Sequence, residues 1–368
     1  TTLQQRAFAH GWRTMRRMQR LILIVASIAG VLTIAGFFVD PRNFYRSYLY
    51  AFIFVVGLSL GALANLMLHA VTGGQWGLPL RRPLLAAARV TPLALVLFVP
   101  IVFGLTALGI QPADSSFKHW WFQPVFFLIR AAVYFAVWIV LAWRWTRIAT
   151  RTNEVRPVAL RRLSAGGLIA YGLTVSLAAI DWIMALLPQW YSTAFGLLIG
   201  VAQMLSAMAL GVFACAFMQD RSARDATPFN DLGNLLLMYL MSWAYIAYTQ
   251  FLIIWAEDLP HEIAWYLPRM QSSWRWLSIV LILVQFAIPF ALLLSRVAKR
   301  TPRFIGPLSA ALLAGQLLYC FYLVTPTLQP HGLYLAWSDP IAVVAVVGLW
   351  CAAWLNGLQK TSALVWRT

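Results

Sequence analysis

The hydrophobic positions of this chain fall into ten long apolar runs, each bounded by charged residues, Gly or Pro. Every run is about 20 residues or longer, which is the length of helix that crosses the hydrocarbon core of a bilayer. The runs are 18–39, 47–70, 84–108, 122–143, 165–187, 193–217, 232–256, 275–295, 304–326 and 339–358. The pattern therefore predicts an all-α integral membrane protein with about ten transmembrane helices.

The composition agrees with this prediction. The chain of 368 residues is 61% hydrophobic and only 11% charged, which leaves too few polar side chains to cover a water-facing surface. Continuous apolar runs also do not match the alternating strands of a transmembrane β-barrel. The first run follows an arginine cluster and ends at Asp40-Pro41 without a small-residue cleavage site, so we interpret it as a retained span rather than a signal peptide.

The basic residues predict the orientation in the membrane. Of the 28 Lys and Arg, 22 lie in the two tails and in the loops after spans two, four, six and eight, and five lie in the opposite loops. Because cytoplasmic loops carry the excess of Lys and Arg, we expect both termini on the cytoplasmic side. The formal net charge of +17 therefore reflects the topology in the membrane. We expect the lipid bilayer as a partner of this chain, and no nucleic acid.

A faint internal repeat suggests how the spans are grouped. An Ala-Phe pair is followed five residues later by Gly in span two, and span six repeats this spacing. Both spans also contain a GxxxG step, which lets two helices approach closely. The steps are Gly57/Gly61 and Gly196/Gly200.

If the repeat is real, spans two to five and six to nine form two four-helix bundles, and spans one and ten are peripheral. We therefore predict a single polytopic membrane domain in four parts. These are the N-terminal tail with span one (1–46), the first bundle (47–187), the second bundle (188–326), and span ten with the C-terminal tail (327–368).

Only Arg130 and Asp181 place ionisable groups clearly inside predicted spans. A charge in hydrocarbon costs about 2.5 to 3.5 kcal/mol even on the gentler scales, so each needs a partner or a purpose. At 1.5 Å per residue both lie roughly 10 Å below the same surface, on helices joined by one loop. We expect an ion pair that fixes helix register. A proton-relay or quinone-contact role for Asp181, or no contact at all, are the alternatives.

Other polar residues also fall on helix faces. Asn65 and His69 are four residues apart near the cytoplasmic end of span two, so they share one face. Span seven and its exit loop form the most polar stretch of the chain, which either bonds across helices or lines a polar path. Its polar residues are Tyr239, Ser242, Trp243, Tyr245, Tyr248, Thr249, Gln250, Glu257 and Asp258.

The cysteines and histidines do not form a redox site. Cys215, Cys320 and Cys351 lie far apart in apolar runs, with no CxxC or haem-attachment motif. Of the five histidines only His69 reaches a span, so the paired histidines that ligate b-type haem are missing. We expect no metal ligand set in this chain, and any redox centre in a partner.

Four segments resemble a known family. They read SYLYAFIFVVGLSLGALANLMLHAVTGGQWG (47–77), DWIMALLPQWYSTAFG (181–196), DLGNLLLMYLMSWAYIAYTQFLIIWAEDLPHEIAWYL (231–267) and FAIPFALLLSR (286–296). These strings resemble the F subunit of alternative complex III, a bacterial quinol:acceptor oxidoreductase. That subunit is similar to the NrfD and polysulfide-reductase membrane anchors.

The resemblance implies two four-helix bundles and no cofactor bound by this chain, in the bacterial cytoplasmic (inner) membrane. It implies menaquinol or ubiquinol as substrate of the complex, with haem c and iron–sulfur clusters in partner subunits. Those partners are a homologous C-type membrane subunit, an iron–sulfur subunit, multi-haem and mono-haem cytochrome c subunits, and small membrane subunits. For this chain it implies a proton pathway or a second quinone site.

Carried over residue by residue, the Asp of the DW motif is Asp181 and the His of the span-two motif is His69. The proton-pathway candidates are Asp181, Arg130, His69, Glu257 and Asp258. The quinone-contact candidates are Asp181, Tyr248 and Trp182. The sequence departs from the family pattern at Leu187, Gln189 and Gln285, where titratable residues are common in the family.

Two other functions compete with this one. A secondary transporter would fit ten spans with a repeat, and it would show matched broken helices near mid-membrane. Pro100 in span three and Pro289 in span eight do not occupy corresponding places, so we interpret them as kinks. A purely structural scaffold for partner subunits is the third possibility.

Overall fold

The structure is a computed structural model that describes residues 2–112, 116–151, 157–218 and 228–365. This part of the chain contains helices, turns and loops but no β-strand. Ten of its helices are long and apolar enough to cross a membrane, which confirms an all-α multi-span membrane protein. They are α1 (Met15–Val39), α2 (Pro41–Thr72), α3 (Gly77–Phe103), α4 (Pro124–Arg151), α5 (Val158–Leu186), α6 (Phe195–Met218), α7 (Phe229–Glu257), α8 (Trp274–Leu294), α9 (Pro302–Leu328) and α10 (Ser338–Lys360).

Several helices extend beyond the apolar runs that predicted them. The sequence predicts that span two begins at residue 47, but α2 begins at Pro41. Asp40 caps it, since its carboxylate accepts a hydrogen bond from the Asn43 N–H at 3.1 Å, and Pro41 is well suited to the first turn. Helical hydrogen bonding does not require apolar side chains, so residues 41–46, which include two arginines and an asparagine, are helical rather than a loop.

Two of the described spanning helices are interrupted within their length, away from their ends. The first is α3, which breaks between Ala88 and Thr91 because Pro92 has no N–H for the Ala88 carbonyl, and the Thr91 hydroxyl donates to that carbonyl instead at 2.7 Å. The second is α8, which contains a π-helical segment over Ile282–Ala287 just before Pro289. In the predicted repeat these two helices do not correspond.

Helix α2 is the centre of the bundle. It packs against α3, α5, α6, α9 and α10, and 94% of the residues in its most apolar stretch of 18 are buried. By contrast, α1 packs mainly against α10, and only 22% of the residues in its most apolar stretch of 18 are buried, which places α1 at the edge of the bundle. The helices of the predicted first bundle meet those of the second where α2 packs against α6 and α9 and where α3 and α5 pack against α6, and the contact between α2 and α6 is the largest of these.

The contact between α2 and α6 depends on glycine. A Cβ atom on Gly61 would lie 2.0 Å from the carbonyl oxygen of Gln203 in α6, so the two backbones touch there. Gly57, one turn earlier, faces only the Gln203 side chain, at 3.2 Å. The close helix approach predicted from the GxxxG step of span two is therefore confirmed, and Gly61 is the residue that requires it.

The orientation has a direct test. In a background without native cysteines, Thr150→Cys at the exposed end of α4 is expected to react only with a label that reaches the cytoplasm, and His331→Cys only with a periplasmic one. A reporter fused after Thr368 should also be cytoplasmic. Thr368 lies outside the described residues, as do residues 152–156 of the predicted cytoplasmic loop that follows Thr150. A periplasmic signal from Thr150→Cys or from the reporter would overturn the orientation.

Candidate functional site

Most of the predicted site residues lie at one end of the bundle. We call it the Arg-poor end: the loops 104–112, 187–194, 258–273 and 329–337, and the short helix Ser116–Trp121. Asp181, Arg130 and Trp182 lie within the bundle near this end, and Glu257 and Asp258 lie on its surface. His69 is at the other end, which we call the Arg-rich end.

Arg130 of α4 and Asp181 of α5 form a buried, bidentate ion pair. Arg130 donates from Nε to Oδ2 of Asp181 at 3.0 Å and from Nη2 to Oδ1 at 2.9 Å. The two side chains are 8% and 1% exposed. The ion pair predicted from their matched depth is therefore confirmed, in the geometry that gives the strongest charge-assisted hydrogen bonds.

Two more donors complete the hydrogen bonding of the Asp181 carboxylate. The Trp121 indole N–H donates to Oδ1 and the Tyr134 hydroxyl donates to Oδ2, each at 2.9 Å. Arg130 also donates from Nη1 to the Trp121 carbonyl at 2.7 Å, and its guanidinium lies 4.1 Å from the centroid of the Trp121 ring. Each carboxylate oxygen thus accepts two hydrogen bonds, and the cluster locks α4, α5 and the helix Ser116–Trp121 together.

The other predicted quinone-contact and acidic residues have different surroundings. Trp182 is buried among aromatic rings of α2, α3 and α4. Tyr248 is 62% exposed on α7. Glu257 and Asp258 are both exposed at the end of α7, where Asp258 adopts a left-handed conformation with φ of 50° and caps the helix. The structure therefore joins Asp181 to Arg130, and places Tyr248, Glu257 and Asp258 on the surface.

At the Arg-rich end, His69 is buried beside a tight turn. Its Nε2 lies 3.0 Å from the Gly74 carbonyl oxygen, and its ring meets Trp76 edge to face. One turn earlier, Asn65 accepts a hydrogen bond from the Tyr239 hydroxyl at 2.6 Å and donates to a carbonyl of α6. The bond predicted between helices is confirmed for Tyr239, and it ties α2 to α6 and α7.

A second buried ion pair was missed in the sequence. The sequence predicts Arg46 just before span two and Asp339 at the very start of span ten, but the structure places Arg46 in the second turn of α2 and Asp339 in the first turn of α10, where they form a buried salt bridge at 2.9 Å. The Ser47 hydroxyl also donates to Asp339, at 2.6 Å. The signal was Asp40-Pro41, a typical helix start, which would have placed Arg46 inside a helix.

A third buried cation, Arg269, also looked like a loop residue. It donates to the carbonyls of Tyr322 and Leu323, each at 3.1 Å, at the end of α9. Pro326 has no N–H for the Tyr322 carbonyl, so the arginine replaces the missing helical donor. Burial lowers the pKa of Arg269 to about 10, which is still well above neutral, so the side chain remains charged.

The Arg-poor end also contains a cavity of about 350 Å³. Its wall is formed by the helix Ser116–Trp121, the end of α5 and the loop 187–194. Trp121 lines the cavity and also donates to Asp181, so the cavity borders the ion-pair cluster. Trp190, on the opposite loop, is 2% exposed and stacks on Trp265 with a ring separation of 4.5 Å.

The segments 181–196 and 231–267 meet beside this cavity. Besides the Trp190–Trp265 stack, the Ser192 hydroxyl donates to Gln250 at 3.2 Å. The Tyr191 hydroxyl lies 3.2 Å from Nε2 of His261. Two of the segments that carry the family resemblance therefore form one continuous surface at the Arg-poor end.

Within the described residues, no group of three or more His, Cys, Asp or Glu side chains is close enough to hold a metal ion. Comparison with known proteins gives no assignment: no protein-family model matches this chain, and no curated protein matches it. The resemblance to the alternative complex III subunit therefore stays a prediction.

Proposed function

We propose that this chain is the F-type membrane subunit of a bacterial quinol:acceptor oxidoreductase of the alternative complex III kind. The observation that carries the proposal is the meeting of segments 181–196 and 231–267 at the Arg-poor end, where the first of these segments also contributes Asp181 to the buried ion pair with Arg130. These segments carry the sequence resemblance, and they pack into one surface through loop contacts that transmembrane hydrophobicity alone does not require.

The charge distribution supports a place for partners at this surface. By the positive-inside rule the Arg-poor end faces the periplasm, where subunits with haem c and iron–sulfur clusters operate. Large aromatic side chains are exposed there, among them Trp120, Tyr191 and Trp337. In this proposal the chain seats the redox subunits on its periplasmic face, binds no redox centre itself, and supports the oxidation of menaquinol or ubiquinol.

The five proton-pathway candidates divide by environment. Glu257 and Asp258 are exposed, so they can exchange protons released by quinol oxidation with the periplasmic water. Asp181 is held by four donors, so its contribution comes from holding Arg130 and Trp121 in place. We therefore propose Glu257 and Asp258 as proton acceptors, and a structural role for the Arg130–Asp181 pair in holding α4, α5 and the helix Ser116–Trp121 together. His69 lies at the opposite end of the bundle.

The interruptions of α3 and α8 are the features that favour the rival transporter function, because transporters bind substrate at broken helices. In a transporter built from repeats, the breaks would lie in corresponding helices. Here they fall in the second helix of one predicted bundle and the third of the other. This mismatch favours the subunit over the transporter.

The proposal predicts the composition and turnover of a complex. Purified in mild detergent, the chain is expected to copurify with c-type haem and an iron–sulfur protein, and to be colourless when isolated from them. Glu257→Gln with Asp258→Asn should slow quinol turnover or shift its pH profile while the haem content stays normal. Asp231→Asn, an exposed acidic residue in the first turn of α7 at the opposite end of the helix, is the control and should leave turnover unchanged.

Two results would contradict the proposal in different ways. A haem-free homo-oligomer that moves a solute across liposomes would establish the transporter. Copurification with haem, but normal turnover and proton release in the Glu257 and Asp258 variants, would leave a scaffold without a part in proton handling.

A further inference from the structure

The cavity at the Arg-poor end is an elongated apolar space beside the end of α5. Its volume is about 350 Å³ and its accessible wall is almost wholly apolar. Leu177 and Met184 both line it and are seven residues apart, so the cavity follows the chain for roughly 10 Å at 1.5 Å per residue. Water is a poor occupant of such a space because it needs polar partners, and an empty space would leave the wall without dispersion contacts. The cavity therefore suits an apolar chain.

A cation lies at the upper edge of the cavity, on the side of the loops. Lys118 is half-exposed there, and its ammonium group donates to the carbonyl of Pro188 in the loop 187–194. That bond uses one of the three ammonium protons, so two remain for another acceptor. The nearby Trp120 is 54% exposed, and exposed tryptophans at the ends of spanning helices lie at the level of the lipid headgroups. A lipid phosphate can therefore reach the ammonium group of Lys118.

The lower part of the cavity is next to the spanning surface of the protein. Leu177 and Ile180 of α5 line it and are both half-exposed on that helix. Leu173, one turn further from the Arg-poor end, is 63% exposed, so this face of α5 meets the hydrocarbon of the bilayer. An acyl chain can therefore enter the cavity sideways from the surrounding leaflet.

We propose that this cavity binds one phospholipid of the leaflet at the Arg-poor end, with a phosphate oxygen accepting a hydrogen bond from Lys118 and an acyl chain lying against Leu177 and Ile180. The order of the groups decides the ligand class, because a cation at headgroup level above roughly 10 Å of apolar wall matches an amphiphile with an anionic head. The chain also contacts Trp121, which donates to Asp181, so the lipid supports the ion-pair cluster. This inference does not depend on the proposed function.

Photolabelling of the full-length chain in detergent tests this site. The probe is a phosphatidylglycerol with a diazirine in the upper half of one acyl chain, and labelled peptides are mapped by mass spectrometry. Label is expected on residues 118–122 and 177–188. Leu177→Trp fills the apolar part of the cavity and should abolish this labelling, while the chain still elutes as a folded particle. Leu173→Trp places the same ring on the same face of α5 but outside the cavity, and should leave the labelling unchanged.

A second set of variants tests the headgroup contact. Lys118→Gln keeps a donor for the Pro188 carbonyl but removes the charge, and should raise the probe concentration for half-maximal labelling about tenfold, the equivalent of one charge-assisted hydrogen bond. Lys118→Arg keeps the charge and should restore most of the binding. Arg275→Gln removes an exposed cation at the start of α8 that does not line the cavity, and should leave labelling unchanged. A maltoside with the same photoreactive chain should bind more weakly and should not respond to Lys118→Gln.

Three results would overturn the phospholipid site. The first is equal labelling of wild type, Leu177→Trp and Lys118→Gln. The second is equal labelling of the cavity by the maltoside and the phosphatidylglycerol, which would show that the headgroup is not recognised. The third is displacement of the probe by decylubiquinone but not by unlabelled phosphatidylglycerol, which would assign the cavity to a quinone. Copurification with haem is measured separately, so the proposed complex and this site can each fail alone.

Discussion

Replacing Asp181 with Asn is expected to lower the free energy of unfolding by about 3–5 kcal/mol. The change leaves the Arg130 guanidinium buried without its counter-charge. In the wild type, each carboxylate oxygen accepts one hydrogen bond from Arg130 and one from Trp121 or Tyr134. Asn replaces one of these oxygens with an amide N–H₂ group, which is itself a donor and would face the donors that the oxygen had accepted from. Unfolding in detergent titrated with a denaturing surfactant, followed by far-UV circular dichroism, measures the loss.

The double variant isolates the interaction between the two charges. Arg130→Gln with Asp181→Asn removes both charges and should recover much of the stability that Asp181→Asn loses, because no uncompensated charge remains. Glu257→Gln, an exposed carboxylate at the end of α7, is the control and should change stability by no more than about 0.5 kcal/mol. Single effects that simply add in the double variant would show that the pair contributes no coupling energy.

Gly61→Ala is expected to destabilise the protein by about 3 kcal/mol, the upper part of the range for overpacking. The new Cβ would lie 2.0 Å from the Gln203 carbonyl oxygen and 2.4 Å from its carbonyl carbon. These are backbone atoms of α6, so no rotamer change can relieve the overlap and the two helices must separate. Since α2 contacts helices of both predicted bundles, the separation should weaken the whole assembly.

Two other glycines on the same helices provide matched controls. A Cβ on Gly200 has the Tyr171 hydroxyl oxygen, at 3.9 Å, as its nearest neighbour, so Gly200→Ala should be neutral or should stabilise α6 by up to about 1 kcal/mol through helix propensity. Gly57→Ala meets only the flexible Gln203 side chain and should have an intermediate effect. If all three variants unfold at the same surfactant concentration, the backbone contact at Gly61 does not stabilise the fold.

The ten spans and the Arg130–Asp181 pair could be predicted because one physical constraint determines both. Hydrocarbon requires continuous apolar helices of defined length, and it makes any charge within them costly enough to need a partner. The rise per residue then gives the depth of each charge, and two charges at one depth on neighbouring helices are expected to meet. The sequence also predicted a close helix approach at the Gly57/Gly61 step, because small residues let helix backbones come near each other, but only the structure shows that Gly61 makes the backbone contact.

The ion pair of Arg46 and Asp339, and the contacts of Arg269, could not be obtained in this way. A charge at the end of an apolar run fits a loop and a helical turn equally well, so hydropathy does not reveal its burial. Whether Arg269 reaches the carbonyl that Pro326 leaves free depends on how the loop 258–273 folds back against α9. That is a contact between segments about 50 residues apart, and no local pattern encodes it.

The sequence by itself determined the membrane fold, the predicted orientation and one buried charge pair, because these follow from the cost of placing polar groups in lipid. Only the tertiary structure decided where the candidate site lies. The stack of Trp190 on Trp265 and most of the wall of the cavity beside Asp181 are formed by segments that leave the spanning helices, where the bilayer no longer restricts the backbone. Their positions depend on the packing of particular side chains, which becomes visible only when all the helices are in place.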